Sequence, residues 1–128
     1  MTMTRIAIVE DNPDNRLLAL ALLEGTYSCD EYESGLEALE GLVTNIPDLV
    51  LLDISLPVMD GVETLKRIRQ HPLLVHLPVI ALTAHAMAGD RERFLAEGFD
   101  DYVTKPIVDE TILLRAIERG LRLERLRT

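Results

Sequence analysis

The sequence predicts an α/β fold in which a parallel sheet is covered by helices on both faces. Short apolar runs that are typical of buried strands alternate along all 128 residues with segments of helical periodicity. The run Leu49–Leu52 is apolar at every position, as expected of a central parallel strand that is buried on both faces. No linker, repeat or low-complexity stretch interrupts the alternation, so we predict one domain, residues 1–128, without an output domain.

Five strand-and-helix pairs complete the chain, and local signals mark several helix starts. Pro13 suits a first helical turn, Ser34 and Glu37 have capping-box spacing, and Asp109 is a good N-cap. The second strand is polar, which predicts a position at an edge of the sheet. The predicted strands are 5–9, 27–32, 49–53, 79–83 and 101–104, and the predicted helices are about 13–25, 34–44, 61–70, 87–97 and 109–121 or beyond.

The composition excludes several classes of protein. A net charge of −9 disfavours nonspecific binding to nucleic acid or to an anionic membrane, because phosphate groups attract clustered Lys and Arg. The single cysteine, Cys29, excludes an intrachain disulfide and a multi-cysteine metal site. No apolar run approaches the ~18 residues of a membrane span, and residues 1–5 lack the apolar stretch of a signal peptide. We therefore expect a cytoplasmic protein whose partners are proteins or cations.

Polar side chains stand at the ends of four predicted strands. They are Glu10 and Asp11, then Asp53, Thr83 and Lys105. Because the carboxyl ends of parallel strands meet at one edge of a sheet, we expect these five side chains to lie together. Three close carboxylates repel one another by roughly 4 kcal/mol per pair at an effective dielectric near 20, so a cation must lie between them. Carboxylate oxygens favour Mg²⁺ or a similar ion such as Mn²⁺.

Asp53 is the most central of these acids, and we interpret it as a nucleophile in phosphoryl transfer. Mg²⁺ binds one or two carboxylates and keeps waters and phosphoryl oxygens as further ligands, which leaves one acid free to react. Phosphoryl transfer needs positive charge and hydrogen-bond donors, which Lys105 and the Thr83 hydroxyl supply. Each residue alone has an ordinary explanation as a helix cap or a solvated charge. Five such residues on one edge favour a joint function.

These residues lie in segments by which the chain resembles the receiver domains of two-component response regulators. The resemblance implies a flavodoxin-like three-layer α/β/α sandwich, with five parallel strands in the order 2-1-3-4-5 and five helices. It also implies a phosphorylation-switched signalling protein in a two-component or phosphorelay system, rather than a classical enzyme. The matching segments, which follow one another along the whole chain, are IVEDN at 8–12, LDISLPVMDG at 52–61, PVIALTA at 78–84 and YVTKP at 102–106.

The resemblance also implies a role for each site residue. Asp53 is expected to accept a phosphoryl group from a phosphohistidine on a histidine kinase or phosphotransfer protein, and the signal then passes to a downstream protein target. The expected catalytic residues are Asp53, Lys105 and Thr83, and the expected metal ligands are Asp11, Asp53, the Ser55 carbonyl and, through water, Glu10. The backbone N–H groups of Ser55 and Ala84 are expected to contact the phosphoryl oxygens. Thr83 and Tyr102 are expected to form the switch. The bond before Pro106 is expected to be cis.

Three further features each have two interpretations. His85 either orders or obstructs water near the phosphoryl group, or it is a solvent-exposed helix start. The apolar residues 17–23 surround the first helix, which indicates either docking of a phosphotransfer partner or unusually complete burial. The arginines of the last helix, from Arg115 to Arg127, form either a solvated, ion-paired face or a homodimer interface.

Three other functions compete with this interpretation. An aspartate-nucleophile phosphatase resembles the site but needs a second Asp two residues after the nucleophile, where this chain has Ser55. A flavin-binding protein of the same topology is disfavoured, because the acidic cluster would repel the flavin phosphate. A receiver segment of a longer hybrid sensor kinase is compatible with the sequence.

Overall fold

The computed structural model describes residues 3–84, 87, 89–107 and 109–127, and for residues 124–127 the backbone alone. Five strands and five helices alternate, as the sequence predicts. The strands are β1 Arg5–Val9, β2 Ser28–Tyr32, β3 Leu49–Asp53, β4 Val79–Thr83 and β5 Asp101–Thr104. The helices are α1 Pro13–Leu23, α2 Gly35–Thr44, α3 Gly61–Gln70, α4 Asp90–Glu97 and α5 Glu110–Arg127. All strands are parallel, and their order in the sheet is β2-β1-β3-β4-β5, which confirms the predicted topology.

Several element boundaries differ from the sequence prediction, and α2 and α5 each begin one residue later than predicted, at Gly35 and Glu110. The polar strand β2, at an edge of the sheet as predicted, begins one residue late, at Ser28. Helix α1 ends at Leu23, where the Glu24 N–H donates to the Leu20 carbonyl, and does not extend to residue 25. Helix α4 begins at Asp90 instead of residue 87, because Gly89 has a φ of 89°, which lies outside the helical region of the backbone map.

Two apolar layers, one on each face of the sheet, hold the helices in place. Successive side chains of β3 alternate between them, as the pleat of a strand requires. Val50 and Leu52 pack in the layer that contains residues of α2, α3 and α4. Leu49 and Leu51 pack in the layer that contains residues of α1 and α5. The predicted three-layer α/β/α sandwich is therefore confirmed.

The apolar surface of α1 is divided between the core and the solvent. Ala19 and Leu23 are buried in the core, whereas Leu17 is 65 % and Leu18 38 % exposed. Unusually complete burial is therefore the wrong explanation for the leucines of this helix.

Within the part of the chain that the structure describes, no helix is long and apolar enough to cross a membrane.

Candidate functional site

The carboxyl ends of the strands bring together four of the predicted site residues, three acids and a lysine. Glu10 and Asp11 follow β1, Asp53 ends the neighbouring strand β3, and Lys105 follows β5. One carboxylate oxygen from each acid lies within 4.8 Å of the other two. The Lys105 Nζ lies 3.0 Å from Glu10 Oε1 and 3.0 Å from Asp53 Oδ1. Side chains that are far apart in sequence thus form one site.

The site holds more buried negative charge than its lysine neutralises. Glu10 and Asp53 are each only 1 % exposed, and Asp11 is exposed at the rim. Burial and the neighbouring Asp53 raise the pKa of Glu10 to about 7, although Lys105 opposes the shift. Burial lowers the pKa of Lys105, but its hydrogen bonds to Glu10 and Asp53 outweigh this effect, so that its pKa is raised. A further cation between the acids would relieve their repulsion.

The turn between β1 and α1 fixes the first two acids. The Glu10 N–H donates to the Tyr32 carbonyl at 3.0 Å, and Glu10 Oε2 accepts from the Asn12 N–H at 3.2 Å. Asn12 then caps α1, because its Oδ1 accepts from the N–H groups of Asp14 at 2.9 Å and Asn15 at 3.1 Å. The helix therefore starts directly after the acids, which keeps the turn short.

The loop between β3 and α3 surrounds Asp53 with backbone groups. The Ser55 N–H donates to Asp53 Oδ1 at 3.0 Å, so this predicted phosphoryl contact already faces the carboxylate. The Gly61 N–H donates to the Ile54 carbonyl at 2.9 Å, and a Cβ on Gly61 would overlap the backbone of Asp53 and Ile54. Asp60 caps α3 by accepting from the Glu63 N–H. Glycine at the first position of α3 is thus required by the close approach of the helix to the loop.

The remaining predicted residues lie on the β4 and β5 side of the site. Thr83 ends β4 and is buried, and Ala84 follows it and is exposed. The Lys105 N–H donates to the Thr83 carbonyl at 2.7 Å, and the Lys105–Pro106 bond is cis, as the resemblance implies. Tyr102 is half-buried, with its ring centroid 5.5 Å from that of Phe94 in α4.

Two other residues at the site were not singled out by sequence reasoning. Phe94 contacts the predicted switch residue Tyr102, but in the sequence it is one apolar helix position among many. Arg16 of α1 donates from Nη1 to the Glu10 carbonyl at 2.8 Å, although a single arginine in a helix is ordinarily solvated. Neither residue type carries a signal that distinguishes these contacts before the fold is known.

Two further open interpretations concern His85 and the arginines of the last helix. His85 lies outside the described residues, so its role stays a prediction. In α5, Arg119 binds Asp101 Oδ2 through Nε at 3.1 Å and Nη2 at 2.7 Å, which agrees with an ion-paired face. The homodimer interface on this helix stays a prediction that sedimentation analysis tests.

The arrangement of groups at the site defines its chemical capacity. Three carboxylates with oxygens within 4.8 Å of one another are a donor set that suits a hard divalent cation such as Mg²⁺. Asp53 is at once a member of this set and a nucleophile with a cation and an N–H donor beside it. These are the groups that a transferred phosphoryl group requires.

Comparison with known proteins agrees with this description. Residues 6–118 match the response regulator receiver domain family. The polar-differentiation response regulator DivK of Brucella ovis is 45 % identical over 103 residues, which cover 80 % of this chain and 84 % of DivK. The signal transduction histidine-protein kinase BarA of Escherichia coli K12 is 44 % identical over 113 residues. That match covers 88 % of this chain, whereas the chain spans only 12 % of the length of the kinase.

Solved structures give the same result. The receiver domain of the sensor histidine kinase PA1611 from Pseudomonas aeruginosa matches this chain with a TM-score of 0.84 and 35 % identity. The match covers 94 % of this chain and 98 % of that domain. That domain coordinates magnesium in its active-site cleft. The signal receiver domain of a histidine kinase from Syntrophus aciditrophicus has a TM-score of 0.81 and 34 % identity, with 93 % of this chain and 90 % of that one covered.

The fold and the site define a signalling switch of two-component systems rather than a classical enzyme. The chain belongs to the response regulator receiver domain family.

Proposed function

We propose that this protein is a phosphorylation-switched response regulator in which Asp53 accepts a phosphoryl group from a phosphohistidine on a histidine kinase or phosphotransfer protein. The observation that carries the proposal is the position of the buried Asp53 carboxylate. It lies 3.0 Å from both the Lys105 Nζ and the Ser55 N–H, beside the acids Glu10 and Asp11. A carboxylate in this position is both a nucleophile and a metal ligand.

The residues of the site divide the work of phosphoryl transfer. Asp11, Asp53 and the Ser55 carbonyl, with Glu10 through water, would hold a Mg²⁺ or Mn²⁺ ion, which would supply positive charge to the phosphoryl oxygens. An Asp53 oxygen attacks phosphorus, the P–N bond of the phosphohistidine breaks, and the imidazole leaves with the electron pair. Lys105 then pairs with the transferred group.

Hydrogen-bond donors complete the phosphoryl environment. The N–H groups of Ser55 and Ala84 donate to the phosphoryl oxygens, which carry most of the negative charge in the transition state. No residue of a separate enzyme is needed for the chemistry. The transfer is therefore self-catalysed within the receiver domain, and slow hydrolysis of the acyl phosphate by the same site resets it.

The phosphoryl group acts as a switch through Thr83 and Tyr102. Its charge favours a conformation in which the Thr83 hydroxyl turns toward it and Tyr102 follows inward, because a modification shifts an equilibrium only by interacting differently with the two states. The contact of Tyr102 with Phe94 extends the change from β5 to α4. A downstream protein then binds the surface formed by α4, β5 and α5.

Intact mass spectrometry after incubation with acetyl phosphate and Mg²⁺ tests the central step. We expect wild type to gain one phosphoryl group, and we expect Asp53→Ala, or wild type in excess EDTA, to gain none. The matched control Asp60→Asn changes an acid in the same loop that only caps α3, and it is expected to be modified normally. Wild type without an adduct that depends on Asp53 and Mg²⁺ would contradict the proposal.

The histidine-bearing partner docks on the exposed leucines of α1, next to the site. Leu17, 65 % exposed, is the most accessible of these leucines. Leu17→Glu is expected to slow phosphotransfer from the partner without slowing modification by acetyl phosphate. Leu73→Glu is the matched control, because Leu73 is similarly exposed, at 62 %, but precedes β4 and so lies toward the amino ends of the strands, away from the site. Equal transfer rates for both variants would exclude docking at Leu17.

The regulator acts as a single cytoplasmic domain without nucleic acid or membrane as partner. The similarity to DivK over 84 % of its length supports this proposal. The second candidate is the receiver segment of a larger histidine kinase, which the 44 % identity to part of BarA favours. An immunoblot of the native organism separates the two, because a band near 14.4 kDa supports the single domain and a much larger band supports the kinase.

A further inference from the structure

Arg16 links three segments around the turn that carries two of the acids. Its Nη1 donates to the Glu10 backbone carbonyl at 2.8 Å. Its Nε donates to Glu31 Oε1 at 3.1 Å, and its Nη2 lies 3.5 Å from Glu33 Oε1. The side chain of Arg16 is only 14 % exposed. A guanidinium with separate donors on a carbonyl and on two carboxylates is held in one orientation.

The carbonyl that Arg16 binds lies within the metal-ligand turn itself. It belongs to the peptide that joins Glu10 to Asp11, so its orientation sets the direction in which the Asp11 side chain leaves the backbone. The Glu10 carboxylate is fixed independently by Lys105 and by the Asn12 N–H. Asp11 is exposed, and its position therefore depends more strongly on the backbone.

We infer that Arg16 is a positioning residue for the metal site, because it holds the Glu10–Asp11 peptide in the orientation from which Asp11 binds a divalent cation. This inference rests on the proposed function, since it requires Mg²⁺ to bind between the acids. Arg16 donates to the peptide carbonyl and acts on the cation through Asp11.

Positioning and simple charge effects have opposite signs, which makes the inference testable. Arg16 brings a positive charge to an acidic site, so by charge alone its removal would strengthen Mg²⁺ binding. By positioning, its removal frees the peptide and weakens binding. The two glutamates that pair with Arg16 offset much of its charge, which leaves positioning as the larger effect.

Titration of the purified full chain with MgCl₂, followed by NMR chemical shifts, measures the effect directly. We expect Arg16→Ala to raise the Kd for Mg²⁺ about tenfold, which is typical of residues that orient metal ligands. Arg16→Lys keeps the charge but lacks the planar fork, and a smaller rise is expected. The matched control is Arg5→Ala. Arg5 also pairs with an acid, since its Nε lies 3.4 Å from Asp30 Oδ2, but it stands at the start of β1, the end of the strand opposite to the site. Arg5→Ala is therefore expected to leave the Kd for Mg²⁺ unchanged.

A second measurement separates positioning from general damage to the fold. The rate of modification by acetyl phosphate in Arg16→Ala is expected to be low at limiting Mg²⁺ and to return to the wild-type rate at saturating Mg²⁺. A rate that stays low at saturation indicates a disrupted site and would overturn a role confined to the metal. Circular dichroism of each variant verifies that it is folded.

Each outcome decides between the two proposals. If wild type binds Mg²⁺ and Arg16→Ala binds it equally well or more tightly, the role of Arg16 is overturned and the proposed function stands. If wild type binds no Mg²⁺, both are overturned. Should Arg16→Ala fail to fold, a wild-type Kd in Arg16→Lys overturns the role of Arg16.

Discussion

Val58 has a backbone conformation that valine rarely adopts. Its φ is 68°, in the left-handed region, and its side chain is fully exposed. A branched Cβ is crowded by the backbone there, at a cost of about 1–3 kcal/mol. The strained residue lies in the loop between Asp53 and α3. The loop that follows Asp53 is thus not optimised for stability.

Replacing this valine should stabilise the protein. Val58→Gly is expected to raise the free energy of unfolding by about 1 kcal/mol, because relief of the strain exceeds the extra entropy of glycine in the unfolded chain. Urea denaturation measures the change. Val58→Ala keeps a Cβ and should gain less, and a Val58→Gly variant less stable than wild type would contradict the prediction.

The thiol of Cys29 should react slowly in the folded protein. Burial, with the charges of Asp30, Glu24 and Glu31, raises its pKa to about 11. At pH 8 the thiolate fraction is then about 0.1 %, against about 10 % at the ordinary pKa of 9.0, so alkylation by iodoacetamide should be about 100-fold slower than in urea-unfolded protein. Because only the thiolate reacts, the folded-state rate should increase about tenfold per pH unit up to about pH 11. Equal rates in the folded and unfolded protein would contradict the raised pKa.

At the scale of whole elements, two helix glycines differ in what they contact. A Cβ on Gly61 would lie 2.7 Å from the Ile54 Cα and would also overlap the Asp53 carbonyl, so rigid backbone blocks it. A Cβ on Gly41 would meet the ring of Tyr32, a half-buried side chain that can move. The start of α3 is therefore less tolerant of substitution than the middle of α2.

These two positions allow a matched comparison by chemical denaturation. Gly61→Ala is expected to lower the free energy of unfolding by about 2 kcal/mol, because α3 must move away from the β3–α3 loop. The same shift should slow phosphorylation of Asp53. Gly41→Ala should cost less, since the Tyr32 ring can shift and alanine favours the helix. Equal losses of unfolding free energy in the two variants would show that the Asp53 backbone can move aside as easily as the Tyr32 side chain.

At the scale of the whole molecule, the acidic site lowers the stability of the fold. Two buried carboxylates, Glu10 and Asp53, share the single charge of Lys105. Asp53→Asn is therefore expected to raise the free energy of unfolding in EDTA by about 1 kcal/mol, and Tm by about 4 °C.

Thermal unfolding with and without Mg²⁺ measures this effect. Mg²⁺ should raise the Tm of wild type more than that of Asp53→Asn, because the variant lacks one of the three clustered carboxylates. Asp60→Asn serves as the control, since asparagine caps α3 as well as aspartate does, and its Tm should be close to that of wild type. A lower Tm of Asp53→Asn in EDTA would show that the Lys105 pair outweighs the repulsion.

Local sequence patterns were sufficient to predict the order of the elements and which side chains meet at the candidate site. The apolar run that ends at Asp53 is strand β3, and Ser34 caps α2 by accepting from the Glu37 N–H at 3.1 Å, as its spacing predicts. These features depend on near neighbours in the chain, so local patterns are sufficient to recognise them. The acids and Lys105 were also predictable, because parallel strands must bring their carboxyl ends to one edge.

The start of one helix, the exposure of a leucine and two long-range contacts became apparent only in the folded structure. The start of α4 depends on the backbone angle of Gly89, and the exposure of Leu17 depends on how α1 lies on the sheet. The contact of Phe94 with Tyr102 and the donation from Arg16 to the Glu10 carbonyl join segments that crossover connections bring together. Such contacts depend on the packing of whole helices against the sheet, and the pattern of neighbouring residues does not predict this packing.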